Sequence, residues 1–233
     1  MSPAPHRFAG HPGRPGSRRE LAAFIDHTVL TESATAAQVA QACDEARQHG
    51  FAAVCVRGPH VAEVRRRLAG SPVLVAAVVD FPLGEASTAV RLAEARALVA
   101  AGADELDLVA PLPALLAGRW EAVLDDLRAV VAAVPAPVKV ILETGALGPD
   151  QIVAGAAVAR AAGAAWLKTS TGFGRGGATV EAVALLAAVA GDALGVKASG
   201  GVRTTAQALA MIDAGASRVG ASASLAILAG WPG

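Results

Sequence analysis

The chain contains no tyrosine, and aromatic residues make up 3% of it. So few π-faces leave little for base-stacking platforms or aromatic cages, and ligand recognition falls to polar side chains and the backbone. Net charge is lacking too: 20 basic residues offset 20 acidic ones. A balanced chain offers no basic field to a phosphate backbone or an anionic lipid surface, so neither nucleic acid nor a membrane is expected as a partner. No apolar run reaches about 18 residues without a charge, glycine or proline, and the N-terminus lacks the apolar core of a signal peptide. A cytoplasmic protein is expected. Two cysteines, Cys43 and Cys55, allow one bridge at most, and Cys55 inside the apolar run AAVCV reads as a buried free thiol. The histidines (His6, His11, His27, His49, His60) show no paired spacing, so no metal is expected, and His27 reads as a core or rim residue.

What the chain does have is alternation. Its 233 residues, 54% hydrophobic, suit a single α/β domain. Residues 1–19, rich in Pro, Gly and Arg without hydrophobic period, read as a flexible leader, leaving 20–233 as the folded domain. Short β-branched runs predict strands at 24–29, 51–56, 73–79, 105–109, 137–142, 164–168, 194–198 and 217–220. Segments of helical period predict helices near 35–49, 60–69, 87–101, 119–133, 149–162, 178–190, 204–214 and 222–229. Eight strand-helix units with continuous apolar strands such as VLVAAVV point to a (β/α)8 TIM barrel rather than an open doubly wound sheet. No Gly-x-Gly-x-x-Gly turn follows any of the first strands, which removes the dinucleotide fold's main signature. Polar residues at the carboxyl ends of strands thus become the site candidates.

Lysine is scarce in a telling way. Only Lys139, Lys168 and Lys197 are lysines, spaced 29 residues apart, and each falls in or at the end of a predicted strand. Arginine serves for charge elsewhere, and only lysine can lose its proton and condense with a carbonyl. Lowering a lysine pKa from ~10.4 to ~7 takes about 4.6 kcal/mol. A second ammonium ~4 to 5 Å away supplies on the order of 3 to 4 kcal/mol at an effective dielectric near 20. Strands six and seven are adjacent in a barrel, so Lys197 is expected beside Lys168, with desolvation by the lead-in AAWL acting in the same direction.

Carboxylates form a second set. Asp107 alternates with Leu106 and Leu108, so it points into the barrel if the leucines face the helices. A buried charge needs a partner, and Lys139 on the next strand is the candidate; a structural salt bridge alone is the alternative reading of the pair. Asp26 in FIDHTVL reads as structural or catalytic. Gly200 and Gly201 in ASGGVRT, with Gly220 and Ser222 in VGASAS, fall in loops expected before helices in units seven and eight, where barrels commonly hold phosphate. Tight turns alone would also want those glycines.

In order, IDHTVL, VCV, FPLG, GADELDLV, VKVILETG, LKTSTGF, VKASGGVRT and VGAS run through residues 24–224. Together they resemble the deoxyribose-phosphate aldolase family, Schiff-base aldolases on a (β/α)8 barrel. The resemblance implies reversible cleavage of 2-deoxy-D-ribose 5-phosphate to acetaldehyde and D-glyceraldehyde 3-phosphate, without cofactor or metal. It implies Lys168 as the Schiff-base nucleophile, Lys197 as the perturber of its pKa and Asp107 as proton relay. Gly172, Gly200, Gly201, Gly220 and Ser222 match phosphate contacts, while Asp26, Thr28 and Lys139 match positions lining or supporting the pocket. Partners would be small phosphosugars and aldehydes, with a homodimer as the family's assembly. This chain departs from the common pattern at Thr31, Arg57, Asp80 and Ala223, and lacks the tail tyrosine some members use in a proton step. Asp80 is expected near the pocket mouth. Competing readings are another Schiff-base aldolase or transaldolase, a metal-dependent aldolase, and a barrel that binds phosphosugar without turnover.

Overall fold

A computed structural model describes residues 12–232. Its eight strands are β1 (Ile25–Val29), β2 (Ala53–Val56), β3 (Leu74–Val79), β4 (Glu105–Val109), β5 (Val138–Ile141), β6 (Trp166–Lys168), β7 (Gly195–Ser199) and β8 (Arg218–Ala221). All pair in parallel with their chain neighbours, and β8 pairs back with β1, closing the barrel. The connecting helices are α2 (Ala36–His49), α3 (Val61–Arg67), α4 (Thr88–Ala100), α6 (Trp120–Ala132), α7 (Pro149–Ala161), α8 (Val180–Ala190) and α9 (Thr205–Asp213), with α10 (Ser224–Ala229) after β8. The (β/α)8 barrel expected from the sequence is the observed fold.

Local chemistry sets several boundaries. Thr35 opens α2 and Thr204 opens α9 with reciprocal capping boxes to Gln38 and Gln207. Gly50 ends α2 in the left-handed region at φ 72°, which costs glycine nothing. Two helices fall where none was predicted. One, α5 (Leu112–Leu116), was masked by its prolines; they sit at its start, where a missing N–H costs no hydrogen bond. The other, α1 (Arg18–Ala22), is capped by Ser17 and begins inside the segment read as a leader. Ahead of it Pro15 is buried and Arg14 pairs with Asp213 at 2.7 Å, while residues 1–11 of that segment lie outside the described residues. Among the described residues no helix is long and apolar enough to cross a membrane.

Alternation along the strands separates two environments. Leu106, Leu108, Val140, Leu167, Val196 and Val219 join the large apolar layer between barrel and helices. The opposite positions face inward, and register sets Asp107 beside Lys139, and Lys168 beside Lys197. On the β2–β3 side the interior is apolar, built from Leu30, Ala53, Cys55, Ala76 and Val78. Trp166 fills the interior opposite Gly195, where even one added Cβ would come within 2.1 Å of the indole.

Asp80 follows β3 but is not among the residues lining the cavity at the strands' carboxyl ends. It accepts from the fully buried Arg91 at 2.8 Å and from the backbone N–H of Ala86 at 3.1 Å. Arg91 also bonds Asp126 and the carbonyl of Val109. Asp80 is thus the counter-ion of a buried arginine, which tolerates its left-handed φ of 50°. Arg91→Leu is expected to cost about 3 to 5 kcal/mol by leaving two carboxylates uncompensated, read as a lower urea midpoint at pH 7.

Candidate active site

A cavity of about 440 Å³ opens at the carboxyl ends of the strands, the face where barrels place their chemistry. Its floor carries Lys168 and Lys197, only 2% and 1% exposed. Thr28, Gly172, Gly200, Gly201, Gly220 and Ser222 line its walls. Asp26, Asp107 and Lys139 lie beneath the floor, fully buried. The structure therefore brings every site residue expected from the sequence to one end of the barrel, in two tiers.

Hydrogen bonds tie the tiers together. Lys168 and Lys197 both donate to Oδ2 of Asp107, at 2.7 Å each. Lys139 donates to the other oxygen, Oδ1, at 2.9 Å. Lys197 also donates to Asp26 Oδ2 at 2.5 Å, so Asp26 anchors Lys197 from below and is not itself part of the cavity wall. Thr28 donates back to the Asp26 carbonyl at 2.9 Å.

Two further charges enter from below and were not singled out from the sequence. Glu105 contacts Lys139 at 2.7 Å. Arg218 donates to Asp26 Oδ1 at 2.7 Å, lies 3.4 Å from Glu105, and stacks 5.0 Å from the Trp166 ring centre. The signal was present as period two: Glu105 shares a face with Asp107, and Arg218 shares one with Gly220.

These contacts divide the lysines. Burial drives the Lys168 pKa down; Asp107 pulls it up and Lys197 pushes it down, and the net shift is downward. Burial thus outranks the second ammonium, reversing the order expected from sequence. Burial also opposes the charge on Lys197, but Asp107 and Asp26 outweigh it and hold that ammonium well above its usual range. Lys139 is likewise raised, its burial outweighed by Asp107 and Glu105. Burial would raise Asp107, yet Lys139, Lys168 and Lys197 keep it far below the usual carboxylate range. One of three buried amines is thereby biased toward the free base.

The glycines do different jobs. Gly172, Gly200 and Gly201 adopt φ of 84°, 90° and 80°, a region side chains rarely enter. Gly220 lies within β8, not in the loop after it, and a Cβ there would come within 2.9 Å of Lys197 Cε, so its bareness seats the lysine stem. Gly177, missed from sequence, lets its backbone meet the Gly200 carbonyl, which an added Cβ would approach to 2.4 Å. Glu143, also missed, lies just beyond β5 and accepts from the Thr171 N–H at 3.1 Å and hydroxyl at 2.5 Å, fixing the loop that carries Gly172.

At the rim, Arg57 donates to the carbonyls of Leu30 at 2.7 Å and Phe81 at 3.3 Å. Its guanidinium lies 5.2 Å from the Phe81 ring and 5.9 Å from the Phe173 ring, which meet edge-on at 5.3 Å. Arg57 thus stitches three loops at the mouth. Thr31 lies exposed on the cavity edge, and Ala223 begins α10 without a side-chain cap. His27 bonds Ser224 at 2.8 Å and Glu45 at 2.7 Å, with burial lowering its pKa. Cys43 and Cys55 are free and buried, their thiols pushed up to about 11 by burial.

Fold and cavity define a class: a (β/α)8 barrel with a desolvated amine at its catalytic mouth. Within that class the chain belongs to the DeoC/LacD family of aldolases, whose sequence model matches residues 21–230. It is 49% identical over 211 residues to a deoxyribose-phosphate aldolase of Deinococcus radiodurans, covering 90% of this chain and 96% of that one. It is 46% identical over 213 residues to the deoxyribose-phosphate aldolase of Mannheimia succiniciproducens, covering 91% and 95%. The solved structure of a deoxyribose phosphate aldolase from Aeropyrum pernix, described as tetrameric, superposes with a TM-score of 0.86 at 34% identity, covering 93% of this chain and 92% of that one.

Asp107→Asn is expected to lose about 3 to 5 kcal/mol of stability at pH 7, because the buried ammonium groups of Lys139 and Lys197 lose a shared counter-charge. The depressed folded-state pKa means this contribution is present above the unfolded value of ~3.9 and fades as pH falls toward the folded one. The gap between variant and parent in urea unfolding should therefore narrow from pH 7 to pH 3.

Proposed function

We propose that this protein is a deoxyribose-phosphate aldolase that cleaves 2-deoxy-D-ribose 5-phosphate reversibly through a Schiff base on Lys168. The observation that carries the reading is the Lys168 amine, held at the cavity floor with its pKa driven down by burial. The free amine adds to the aldehyde carbon of the ring-opened sugar, and the carbinolamine loses water to give an iminium. The C3 hydroxyl then gives up its proton as the C2–C3 bond breaks, and the bond's electrons pass into the iminium to form an enamine. Glyceraldehyde 3-phosphate leaves, the enamine carbon takes a proton, and water releases acetaldehyde and the amine.

Asp107 serves proton transfer at the amine, which it touches at 2.7 Å. Lys197 stays protonated beside it, opposing the proton on Lys168 and balancing charge that develops on the substrate. Lys139 and Asp26 hold those two groups in register, and Thr28 borders the substrate. Backbone N–H groups around Gly172, Gly200, Gly201 and Gly220, with Ser222, take the phosphate.

The reading extends to one catalytic domain that includes α1, with no metal or organic cofactor. A cytoplasmic location suits it, where free thiols stay reduced. A homodimer is the proposed assembly; since the Aeropyrum relative is described as tetrameric, sedimentation equilibrium is the measurement that decides.

With acetaldehyde and borohydride, peptide mass mapping should find a reduced adduct on Lys168. A folded protein that gives no adduct refutes the mechanism, and deoxyribose 5-phosphate bound without turnover refutes the activity. Turnover should persist with chelator. Lys197→Arg should lose about a hundredfold or more in kcat, since a planar guanidinium does not replace a compact ammonium. Ser222→Ala should raise KM for the phosphorylated sugar roughly tenfold, the worth of one hydrogen bond to a charged group, while leaving the weak cleavage of unphosphorylated deoxyribose unchanged.

A further inference from the structure

The buried charges beneath the cavity close on themselves. Arg218 contacts Asp26 at 2.7 Å, Asp26 contacts Lys197 at 2.5 Å, and Lys197 contacts Asp107 at 2.7 Å. From Asp107 the path runs to Lys139 at 2.9 Å, to Glu105 at 2.7 Å, and back to Arg218 at 3.4 Å. Six groups of alternating sign thus form a ring that is neutral when all are ionised. Lys168 attaches to it only through Asp107, at 2.7 Å, and is the seventh charge.

In a water-poor interior net charge is costly, and a group shifts its protonation before the protein buries an unmatched ion. The ring leaves no anion in surplus for Lys168. Other interior positions do not supply one: β2 contributes Cys55, neutral at ordinary pH, and β3 contributes Ala76 and Val78. Glu143, beyond the end of β5, is held by Thr171 through one oxygen, and among the described residues the ion pair of Lys168 is with Asp107, not with Glu143.

We propose that Arg218 and Glu105, neither of which lines the cavity, are positioning residues that set the charge of this ring and so determine that Lys168 is the amine left without its proton. The inference rests on the Schiff-base reading of Lys168. It predicts effects of opposite sign from two residues that never meet substrate. Removing the Arg218 charge leaves the ring one negative, which gives Lys168 a counter-charge and keeps its proton on. Removing the Glu105 charge leaves the ring one positive, which expels that proton sooner.

The experiment compares the parent with Arg218→Gln, Arg218→Lys and Glu105→Gln, each checked for folding by circular dichroism. Two quantities are followed against pH: kcat/KM for cleavage of 2-deoxyribose 5-phosphate, and the rate of borohydride-trapped adduct on Lys168 with acetaldehyde. The acid limb of both should move up by about one pH unit in Arg218→Gln and down by about one in Glu105→Gln. Arg218→Lys, which keeps the charge, should lie close to the parent. Limbs that stay put, or move the same way in both neutral variants, overturn the inference while leaving the Schiff base intact if Lys168 is still trapped. Absence of an adduct in the parent would instead remove the Schiff-base reading. Should Glu105→Gln not fold, the contrast between the two Arg218 variants decides, and equal shifts in both overturn the inference; should Arg218→Gln not fold, the direction taken by Glu105→Gln decides.

Discussion

A single carboxylate oxygen, Oδ2 of Asp107, receives hydrogen bonds from two lysine nitrogens on neighbouring strands, and much else follows from that arrangement. An aspartate with no exposed surface cannot stay ionised without such partners, and the lysines in turn cannot stay inside without it. The bonds pin β4, β5, β6 and β7 to one register. Barrel closure completes the set, because Asp26 on β1 meets Arg218 on β8 only when those edge strands pair. Topology and electrostatics are therefore one constraint: an open sheet of the same strands would strand these charges in apolar surroundings.

Much of the architecture was legible in the sequence because strand and helix periods are local. Asp107 between Leu106 and Leu108 announced its inward direction, and the three lysines stood out against a background of arginine. What was not legible depends on partners far away in the chain. Arg218 lies 192 residues from Asp26 and 113 from Glu105, so no window around any of them shows the contact. Asp80 looked like a pocket residue for a different reason: its partner Arg91 is only 11 residues on, but sits on a helix whose pattern gave no hint of a fully buried guanidinium. Prolines hid α5 by suggesting a loop where they start a helix. The weight of burial over the neighbouring ammonium at Lys168 also required the structure, because desolvation is a property of packing and not of spacing.

The mouth of the cavity is organised by close backbone approach and one cation. Bare glycines at 172, 177 and 200 let two loops touch main chain to main chain, and Gly172 and Gly200 line the cavity. Arg57 works from the other side, bonding loop carbonyls and stacking on two phenylalanines. In a chain with 3% aromatic residues, two of its five phenylalanines are spent on this corner. Recognition by backbone and rim rigidity fits a composition with few other means.

The division of the interior into an apolar side, with Leu30, Ala53, Cys55, Ala76 and Val78, and an ionic side spanning β4 to β8 and β1 has a consequence for how such a protein changes over generations. On the apolar side a residue can drift in size one step at a time, each step felt only through packing. On the ionic side a single replacement unbalances its neighbours, so viable lineages must move there by coupled replacements or not at all. Adaptation to new aldehydes thus has an open direction, toward β2 and β3, and a closed one.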